Sequence, residues 1–334
     1  MSFPRRSRST SAMPASKRRR PRQRPPAPRG VLVMLILILL TGCLQTPPHV
    51  VKIGLVAPFE GRYREIGYDV IPAARLAVRE WAARPESRGL GIEIVAYDDG
   101  GDPLQAIEQA RRLSVDPDVV IVLGHWRDET TQAALPVYEE AGLPLVTFSP
   151  AEFRHAPGLY NLSPSSAQLE AAAGAWATRE GLTALTLIDA PEDVLASVEA
   201  LRALHAQGRA ETLIGGPVWG LGQFYALTEG EAEGVYFVSG AAEAEDSGWP
   251  PEQLEAFIAG YEEGSLGAPP GLLSITAYQA TWVAIREAAA REGIPLSGTP
   301  VDSLAFDADG RRLDPPVYLY LWRAGQRSLI EQLR

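Results

Sequence analysis

The sequence predicts an α/β protein built from two doubly wound lobes joined by a hinge. Short apolar runs alternate with segments of helical periodicity along most of the chain, and this pattern is typical of parallel sheets covered by helices on both faces. The 334 residues, 46% hydrophobic and 22% charged, are enough for two ordinary domains. This composition excludes a disordered, fibrous or collagenous chain.

The predicted elements follow one another mostly as strand–helix pairs. Strands are expected at residues 50–57, 92–96, 119–123, 143–148, 183–188, 211–214, 234–239 and 316–322, and helices at residues 71–83, 103–114, 129–141, 166–180, 191–206, 251–263 and 272–292. Residues 58–67 are predicted to form a loop, and Asp102 before Pro103 is predicted to cap the helix that follows. The final strand alternates in polarity, which favours antiparallel pairing.

The N-terminal 42 residues differ sharply from the rest of the chain. They contain ten Arg or Lys and no acidic residue, and they end in an apolar run at residues 31–40. A basic segment, an apolar run and small residues before a cut are typical of a secretory signal peptide, and the run is too short to span a membrane as a helix. Residues 1–42 are therefore predicted to be a signal peptide, with Met13 as an alternative start.

Cys43, the chain's single cysteine, follows this apolar run directly. Leu40-Thr41-Gly42-Cys43 resembles the bacterial lipobox, whose cysteine is lipidated and becomes the first residue of the mature protein. Residues 43–50 then form the lipidated cysteine and a tether. The expectation is an exported protein anchored by its lipid to the outer face of the cell membrane or in the periplasm; the alternative is an ordinary signal with a chance cysteine.

Charge and motifs exclude several function classes. After residue 42 the chain has 21 basic and 41 acidic residues, so a nucleic-acid partner is not expected. A lone cysteine rules out an intramolecular disulfide or a cysteine-rich metal site. The four histidines show no metalloprotease spacing, and no nucleophile elbow or phosphate loop occurs. Asp98 and Asp99 lie in a glycine-rich turn, where capping explains them better than catalysis. No enzyme, metal or cofactor is predicted.

Five segments, in the right order, resemble the extracytoplasmic solute-binding proteins of branched-chain amino-acid ABC transporters. These segments read KIGLVAPFEGRYREIGYDVIPAARLAVREW, IEIVAYDDGGDPLQAIEQARRL, VVIVLGHWRDETTQAALPVYEEAGLPLVTFSP, AYQATWVAIREAA and LAFDADGRRLDPPVYLYLWRAGQ. The resemblance covers residues 51–334. It implies the type I periplasmic-binding fold, a monomer that traps a small molecule between its lobes, and an ABC permease as partner.

By this resemblance lobe one comprises residues 51–156 and 242–305, and lobe two residues 157–241 and 306–334. Lobe two is expected to be short, because the sequence between Asp189 and Gly215 has room for one helix only. Family members usually carry a further strand–helix unit there, with a ligand loop.

Candidate ligand-binding residues lie in loops expected beyond the carboxyl ends of the strands, where doubly wound folds bind ligands. Tyr63 and Arg64 occupy the first loop and either contact the ligand or belong to a solvated loop. Trp126 is predicted to form an aromatic wall, with core packing as the alternative. Arg127 could grip a carboxylate in bidentate fashion, whereas Asp128 would repel one unless it caps its own helix, which is the favoured interpretation.

The remaining candidates are altered relative to the family pattern. Thr130 supplies a hydroxyl at a helix start. In the loop that resembles SPxxT, Ala151 is expected to offer backbone contacts and Phe153 replaces the threonine. Where branched-chain binders place a glutamate against the ligand's ammonium group, this chain has Val218 beside Trp219, which either lines the pocket or only packs. An aromatic acid or a cation is therefore a possible ligand class alongside amino acids.

The sequence is also compatible with two other functions. The first is a membrane-tethered sensor that signals when it closes on its ligand. The second is an interaction protein that has lost its ligand, which the short second lobe and the altered pocket residues favour. His125 and His155 lie on pocket loops with no assigned role.

Overall fold

The computed structural model describes residues 49–333, apart from residues 152, 154–157, 188–192 and 209–210. The predicted signal segment, Cys43 and nearly all of the tether lie outside these residues, and so does His155. None of the helices in the described part of the chain is long and apolar enough to cross a bilayer.

The first sheet is entirely parallel, in the order β2-β1-β3-β4-β5. Its strands are β1 (His49–Ala57), β2 (Leu90–Asp98), β3 (Val119–Leu123), β4 (Leu145–Thr147) and β5 (Leu159–Asn161). The helices that accompany it are α1 (Arg64–Ala83), α2 (Pro103–Ser114), α3 (Asp128–Ala141), α7 (Pro251–Gly264) and α8 (Ser274–Arg291). We call this sheet with its helices lobe one.

The second sheet is mixed, in the order β10-β9-β8-β7-β6. Its strands are β6 (Ala184–Leu187), β7 (Thr212–Gly215), β8 (Tyr236–Ser239), β9 (Val317–Arg323) and β10 (Gln326–Leu333), accompanied by α4 (Ser166–Arg179), α5 (Val194–Ala206) and α6 (Gly222–Leu227). We call this unit lobe two. Strands β6, β7 and β8 are parallel, whereas β9 is antiparallel to both of its neighbours. The predicted α/β class with two doubly wound lobes is confirmed.

Apolar periodicity explains why these segments fold as they do. In α1, Ile66, Val70, Ala77 and Trp81 are buried at helical spacing and face the core. The helix starts seven residues earlier than the sequence predicts and continues through Pro72. The expected loop at residues 58–67 was therefore wrong in its second half, because burial of this stripe outweighs the helix-breaking tendency of proline.

The N-terminal cap of α2 is the one that the sequence predicts, Asp102. The Asp102 carboxylate accepts hydrogen bonds from the backbone N–H groups of Leu104 and Gln105, and Pro103 occupies the first helical position.

Elsewhere the sequence missed the short strand β5, the short helix α6 and the C-terminal strand β10. Because β5 pairs with β4, residues 159–161 belong to the sheet of lobe one, although the sequence assigned them to lobe two.

The start of α8 is held by a carboxylate from α1. Asp69 accepts hydrogen bonds from the backbone N–H groups of Gly271 (2.8 Å) and Leu273 (2.7 Å) and from the Tyr261 hydroxyl (3.1 Å). Burial raises the pKa of Asp69 to about 6, although these hydrogen bonds act in the opposite direction. Lobe one thus contains an acid group that stays protonated to an unusually high pH.

This raised pKa gives a testable pH dependence. Because the folded state holds the Asp69 proton more tightly than the unfolded chain, the stability contributed by this group is greatest below pH 4 and falls as pH rises toward 6. We expect Asp69→Asn to remove about 2 kcal/mol of the pH dependence of the free energy of unfolding between pH 4 and pH 7. Urea unfolding of both proteins across this range measures the difference. Parallel pH profiles would contradict it.

Candidate functional site

A cavity of about 250 Å³ lies between the two lobes. It is bounded by the segments that follow β3 and β4 in lobe one and β7 and β8 in lobe two, and by the first turns of several helices. Its lining consists of Tyr63, Ile66, Trp126, Arg127, Asp128, Phe148, Pro150, Ser163, Pro164, Ser166, Leu169, Ser197, Gly216, Pro217, Val218, Trp219, Leu221, Ser239, Gly240, Ala241, Leu272, Leu273 and Thr276. Aromatic, aliphatic and proline side chains make up most of this wall.

The cavity lies where a doubly wound fold is expected to bind ligands. The carboxyl ends of parallel strands meet at one edge of each sheet, and the segments beyond them can converge on a ligand. A larger opening of about 1040 Å³ lies near Trp249, Arg312 and Tyr318, but the sequence candidates do not line it. We therefore take the cavity of 250 Å³ as the candidate site.

Five of the nine predicted ligand-binding residues line the cavity: Tyr63, Trp126, Arg127, Asp128 and Trp219. The remaining four do not. Arg64 is exposed at the start of α1, Thr130 and Ala151 are buried, and Phe153 packs into a separate apolar cluster on lobe one. For these four residues a direct ligand contact is not supported.

Tyr63 links the two lobes at the cavity wall. It lies in a single 3₁₀ turn at Gly61–Tyr63, not in an open loop, and its side chain is 5% exposed. Its hydroxyl donates to the Asp193 carboxylate (3.1 Å) and accepts from the backbone N–H of Val194 (3.2 Å), both in lobe two. Burial raises the pKa of Tyr63, so the phenol stays protonated and can donate.

Arg127 is held tightly at the cavity edge. Its guanidinium group donates to the Gly101 carbonyl (2.5 Å) and to the Glu129 carboxylate (3.0 Å). The guanidinium carbon also lies 4.4 Å from the centre of the Tyr63 ring, a cation–π contact. The Nε atom is buried and has no hydrogen-bond partner among the described residues. Much of the hydrogen-bonding capacity of the guanidinium group is thus used by contacts within the protein.

Asp128 does not cap its own helix, contrary to the favoured interpretation of the sequence. Arg127 occupies the N-cap position without a side-chain cap, and Asp128 is the first residue of α3. The Asp128 carboxylate instead accepts from the Ser149 hydroxyl and from the backbone N–H of Ala151 (3.0 Å). Asp128 therefore joins the segment after β3 to the segment after β4.

The hydroxyl groups of the two threonines at the start of α3 form hydrogen bonds within the protein. The Thr130 hydroxyl donates to the Arg127 carbonyl, and the Thr131 hydroxyl lies within hydrogen-bond distance of the His125 and Arg127 carbonyls. These bonds satisfy local backbone acceptors in a buried segment. In these contacts both hydroxyls donate toward the backbone of their own segment and not toward the cavity.

The aromatic residues serve both the core and the cavity. Trp126 is 7% exposed and contacts Phe148, and Trp219 is 1% exposed and stacks on Phe224 with ring centres 5.0 Å apart. The Nε1 atoms of both tryptophans are buried without a hydrogen-bond partner among the described residues. The two sequence interpretations of each tryptophan, wall and core, are thus compatible.

A buried polar network lies directly behind the cavity. His125 Nδ1 is 2.7 Å from an Asp99 carboxylate oxygen, and His125 Nε2 is 3.1 Å from the Tyr138 hydroxyl. The other Asp99 oxygen accepts from the backbone N–H of Gly101, whose carbonyl holds Arg127. Asp99 thus does more than cap its turn, because it connects that turn to the segment containing Trp126 and Arg127.

Direct contacts hold the lobes together on one side of the cavity. The Glu65 carboxylate of lobe one accepts from the backbone N–H groups of Gly222 (2.8 Å) and Gln223 (2.9 Å), at the start of α6 in lobe two. Arg62 forms an ion pair with Asp193 at 3.1 Å. Together with the Tyr63 contacts, these bonds join the two lobes directly beside the cavity.

Sequence reasoning missed much of lobe two's contribution. Ser239 and Gly240 follow β8, Pro217 follows β7, and Ser166 lies in the first turn of α4. The rule that ligands bind beyond strand ends could have identified the first two of these segments. Nothing in the residue types identified Thr276 in the first turn of α8, because only the three-dimensional fold brings that turn to the cavity.

Two α/β lobes with a cavity between them are the architecture of bilobal binding proteins. The comparisons with known proteins make this more specific, since residues 50–194 match the periplasmic binding protein family. The Leu/Ile/Val-binding protein of Escherichia coli K12 is 30% identical over 115 residues, which cover 33% of this chain and 31% of that protein. The alignment thus spans about a third of that relative's length.

Solved structures extend the likeness in fold to both lobes. A leucine-binding protein from Thermotoga maritima matches with a TM-score of 0.67 at 16% identity, covering 85% of this chain and 99% of that one. A solute-binding protein from Rhodopseudomonas palustris in complex with benzoate matches with a TM-score of 0.61 at 16% identity, covering 85% and 96%. The likeness to these structures shows that the described chain has the type I periplasmic-binding fold. The names of these relatives describe binding proteins.

Proposed function

We propose that this protein is an extracytoplasmic solute-binding protein that closes on a small organic solute and delivers it to an ABC transporter permease. The observation that carries the proposal is the cavity of about 250 Å³, whose walls come from both lobes. A solute bound there contacts both lobes at once, so its binding free energy favours the closed arrangement. The relatives that bind branched-chain amino acids support the same class of function.

The N-terminal segment supports export and anchoring. A lipobox-like sequence ending at Cys43 is suited to lipid attachment, which would tether the binding unit at the outer face of a membrane. A tethered binding protein stays close to its permease, which would contact the rims of both lobes. Mass spectrometry of the membrane-extracted protein tests the anchor, since a mature chain beginning with acylated Cys43 is expected.

Ligand-dependent stabilisation tests the binding function. We expect one chemical class, from a library of amino acids, aromatic acids, amines and small amides, to raise the melting temperature of the full-length protein by several degrees. At 100 times its dissociation constant a ligand stabilises the folded state by about 2.7 kcal/mol. A folded protein that responds to no compound would favour the ligand-free interaction protein instead.

Closure can be tested separately at Glu65. Glu65→Ala removes the acceptor for two backbone N–H groups of lobe two, so the closed arrangement loses hydrogen bonds that the open one lacks. We expect the dissociation constant of the identified ligand to rise about tenfold, corresponding to about 1.4 kcal/mol. Glu252→Ala, an exposed carboxylate on α7, is the control. Equal affinities in the two variants would argue against closure through this contact.

A further inference from the structure

The opening of about 1040 Å³ noted above has walls from both lobes. Lobe one contributes Ile275 and Gln279 of α8, and lobe two contributes residues of α4, β9 and β10. The segment that connects α8 to β9 completes the wall with Arg312. We call this opening the second cleft. It adjoins the cavity of 250 Å³ at Gly240 and Thr276, which line both, and otherwise has its own set of residues.

Arg312 faces the second cleft without a partner. Its half-buried side chain forms no hydrogen bond or ion pair with any described residue, and none of its nitrogen atoms is completely buried. Arg327, which is also half-buried in lobe two, instead pairs with Glu243 and donates to the Gly220 carbonyl. Partial burial lowers the pKa of Arg312, so this guanidinium group has lost hydration that no protein contact replaces.

The Tyr318 hydroxyl is a second donor in the same cleft. Tyr318 is 7% exposed, and its hydroxyl is accessible and has no hydrogen-bond partner in the described part of the chain. Burial raises the pKa of Tyr318, and the nearby charge of Arg312 acts in the opposite direction. The phenol therefore stays protonated and can donate, within electrostatic range of the Arg312 guanidinium group.

The acidic groups near these two donors do not neutralise them by contact. Asp314, which lines the second cleft, is exposed and forms no ion pair with Arg312. Asp246 accepts from the Tyr320 hydroxyl at 3.0 Å instead of from Tyr318. Since water screens the exposed Asp314 carboxylate, one cation and one neutral donor remain available to a ligand.

Neutral polar groups surround this pair of donors. Gln332 lies opposite Tyr318 in the β9–β10 pairing, and Gln279 and Ser303 belong to the lobe-one wall. The side chains of these three residues form no hydrogen bond to another described residue. Amide and hydroxyl groups both donate and accept, so they suit the hydroxyl groups of a ligand.

We propose that the second cleft binds a polyhydroxy monocarboxylate, with its carboxylate on Arg312 and Tyr318 and its hydroxyl groups on the neighbouring amides. The planar guanidinium fork matches a carboxylate. A phosphate dianion would bring a second negative charge toward Asp314 with no second cation to balance it. This site is additional to the cavity and goes beyond the proposed transport function.

Calorimetry on the full-length protein tests the ligand class, in a buffer without carboxylate or phosphate. The probes are glycerate with glycerol and gluconate with sorbitol, as matched acids and neutral polyols, together with acetate and inorganic phosphate. We expect at least one of the two acids to bind about tenfold or more tightly than its polyol, acetate and phosphate. Binding of neither acid, or equal binding of acetate or phosphate, would overturn the inference. Neither outcome would affect the cavity, whose function the melting-temperature library tests separately.

Variants assign the binding to the second cleft. We expect Arg312→Gln to weaken binding of the acid about tenfold or more, and Tyr318→Phe, which keeps the buried ring, to weaken it about threefold or more. Arg323→Gln removes an exposed arginine at the end of β9, outside the second cleft, and should leave the affinity unchanged.

Two results with these variants would refute the site. Unchanged affinity in Arg312→Gln and Tyr318→Phe would mean that the acid binds elsewhere. An equal loss in Arg323→Gln would mean that overall charge, and not this cleft, attracts the acid. If Arg312→Gln does not fold, Tyr318→Phe decides the matter alone, since its unchanged affinity would contradict the proposed carboxylate contact.

Discussion

Replacing His125 with alanine is expected to destabilise the fold by about 3 to 5 kcal/mol, because it leaves a buried carboxylate without its partner. Asp99 and His125 are both fully buried, and their side chains lie 2.7 Å apart. The remaining contacts of Asp99 are too few to replace the imidazole, since among the described residues its other oxygen accepts from the Gly101 N–H alone. Urea unfolding of the variant and the wild type measures the loss.

Tyr138→Phe is the matched control on the other side of the imidazole. Burial, with a smaller contribution from Asp99, raises the pKa of Tyr138, so its hydroxyl stays protonated and can donate to His125 Nε2 at 3.1 Å. Removing that hydroxyl should cost only about 1 to 2 kcal/mol, because no charge is left unpaired. A loss as large as that of His125→Ala would mean that the Asp99 carboxylate is not the source of the effect.

A double variant separates charge from packing. If the cost of His125→Ala comes mainly from the orphaned carboxylate, Asp99→Asn in the same chain should recover about 1 kcal/mol or more of the lost stability. If the cost comes from the cavity left by the imidazole, the second substitution should bring no recovery. In either case Arg127 is affected, because Gly101, which anchors it, is held by Asp99. Ligand affinity is therefore expected to fall together with stability.

The extent of sequence prediction differs between the fold and the site. Strand and helix periodicity located the alternating elements, because buried stripes such as those of α1 and β1 are long and regular. The same reasoning missed β10, a largely polar strand in which one residue alone is fully buried, and β5, which has three residues. These strands depend on pairing with a neighbour, and local sequence carries little of that information.

At the site, the sequence indicated where residues lie in the fold better than which groups they bond to. Trp126, Arg127 and Asp128 line the cavity, because they follow β3 directly. Their partners could not be read from the sequence, since Asp128 binds a segment 21 residues away and Arg127 a turn 26 residues away. The expectation that Phe153 enters the pocket was wrong, because its side chain packs into the apolar cluster behind β3 and β4.

Gly124 sets the path of the chain between β3 and the site residues. Its φ of +134° lies in a region that residues with a side chain rarely adopt, and its backbone N–H donates to the Val146 carbonyl at 2.9 Å. A Cβ at this position would lie 2.2 Å from the Val56 carbonyl oxygen, well inside contact distance. Since both neighbouring strands are buried, neither can move away without disturbing the core.

We therefore expect Gly124→Ala to reduce the free energy of unfolding by about 3 to 5 kcal/mol, because both the clash and the strained φ must be relieved. Since the affected segment carries Trp126 and Arg127, we also expect the variant to lose ligand-dependent stabilisation. Gly142→Ala is the matched control. Gly142 also has a positive φ, +62°, but a Cβ there would meet nothing within 4 Å, so only the conformational penalty of about 1 kcal/mol applies. Equal losses in the two variants would mean that backbone conformation alone, and not the approach to β1, makes glycine necessary at residue 124. A large loss confined to Gly124→Ala is the expected result, because residue 124 combines the less accessible φ with the close approach to β1.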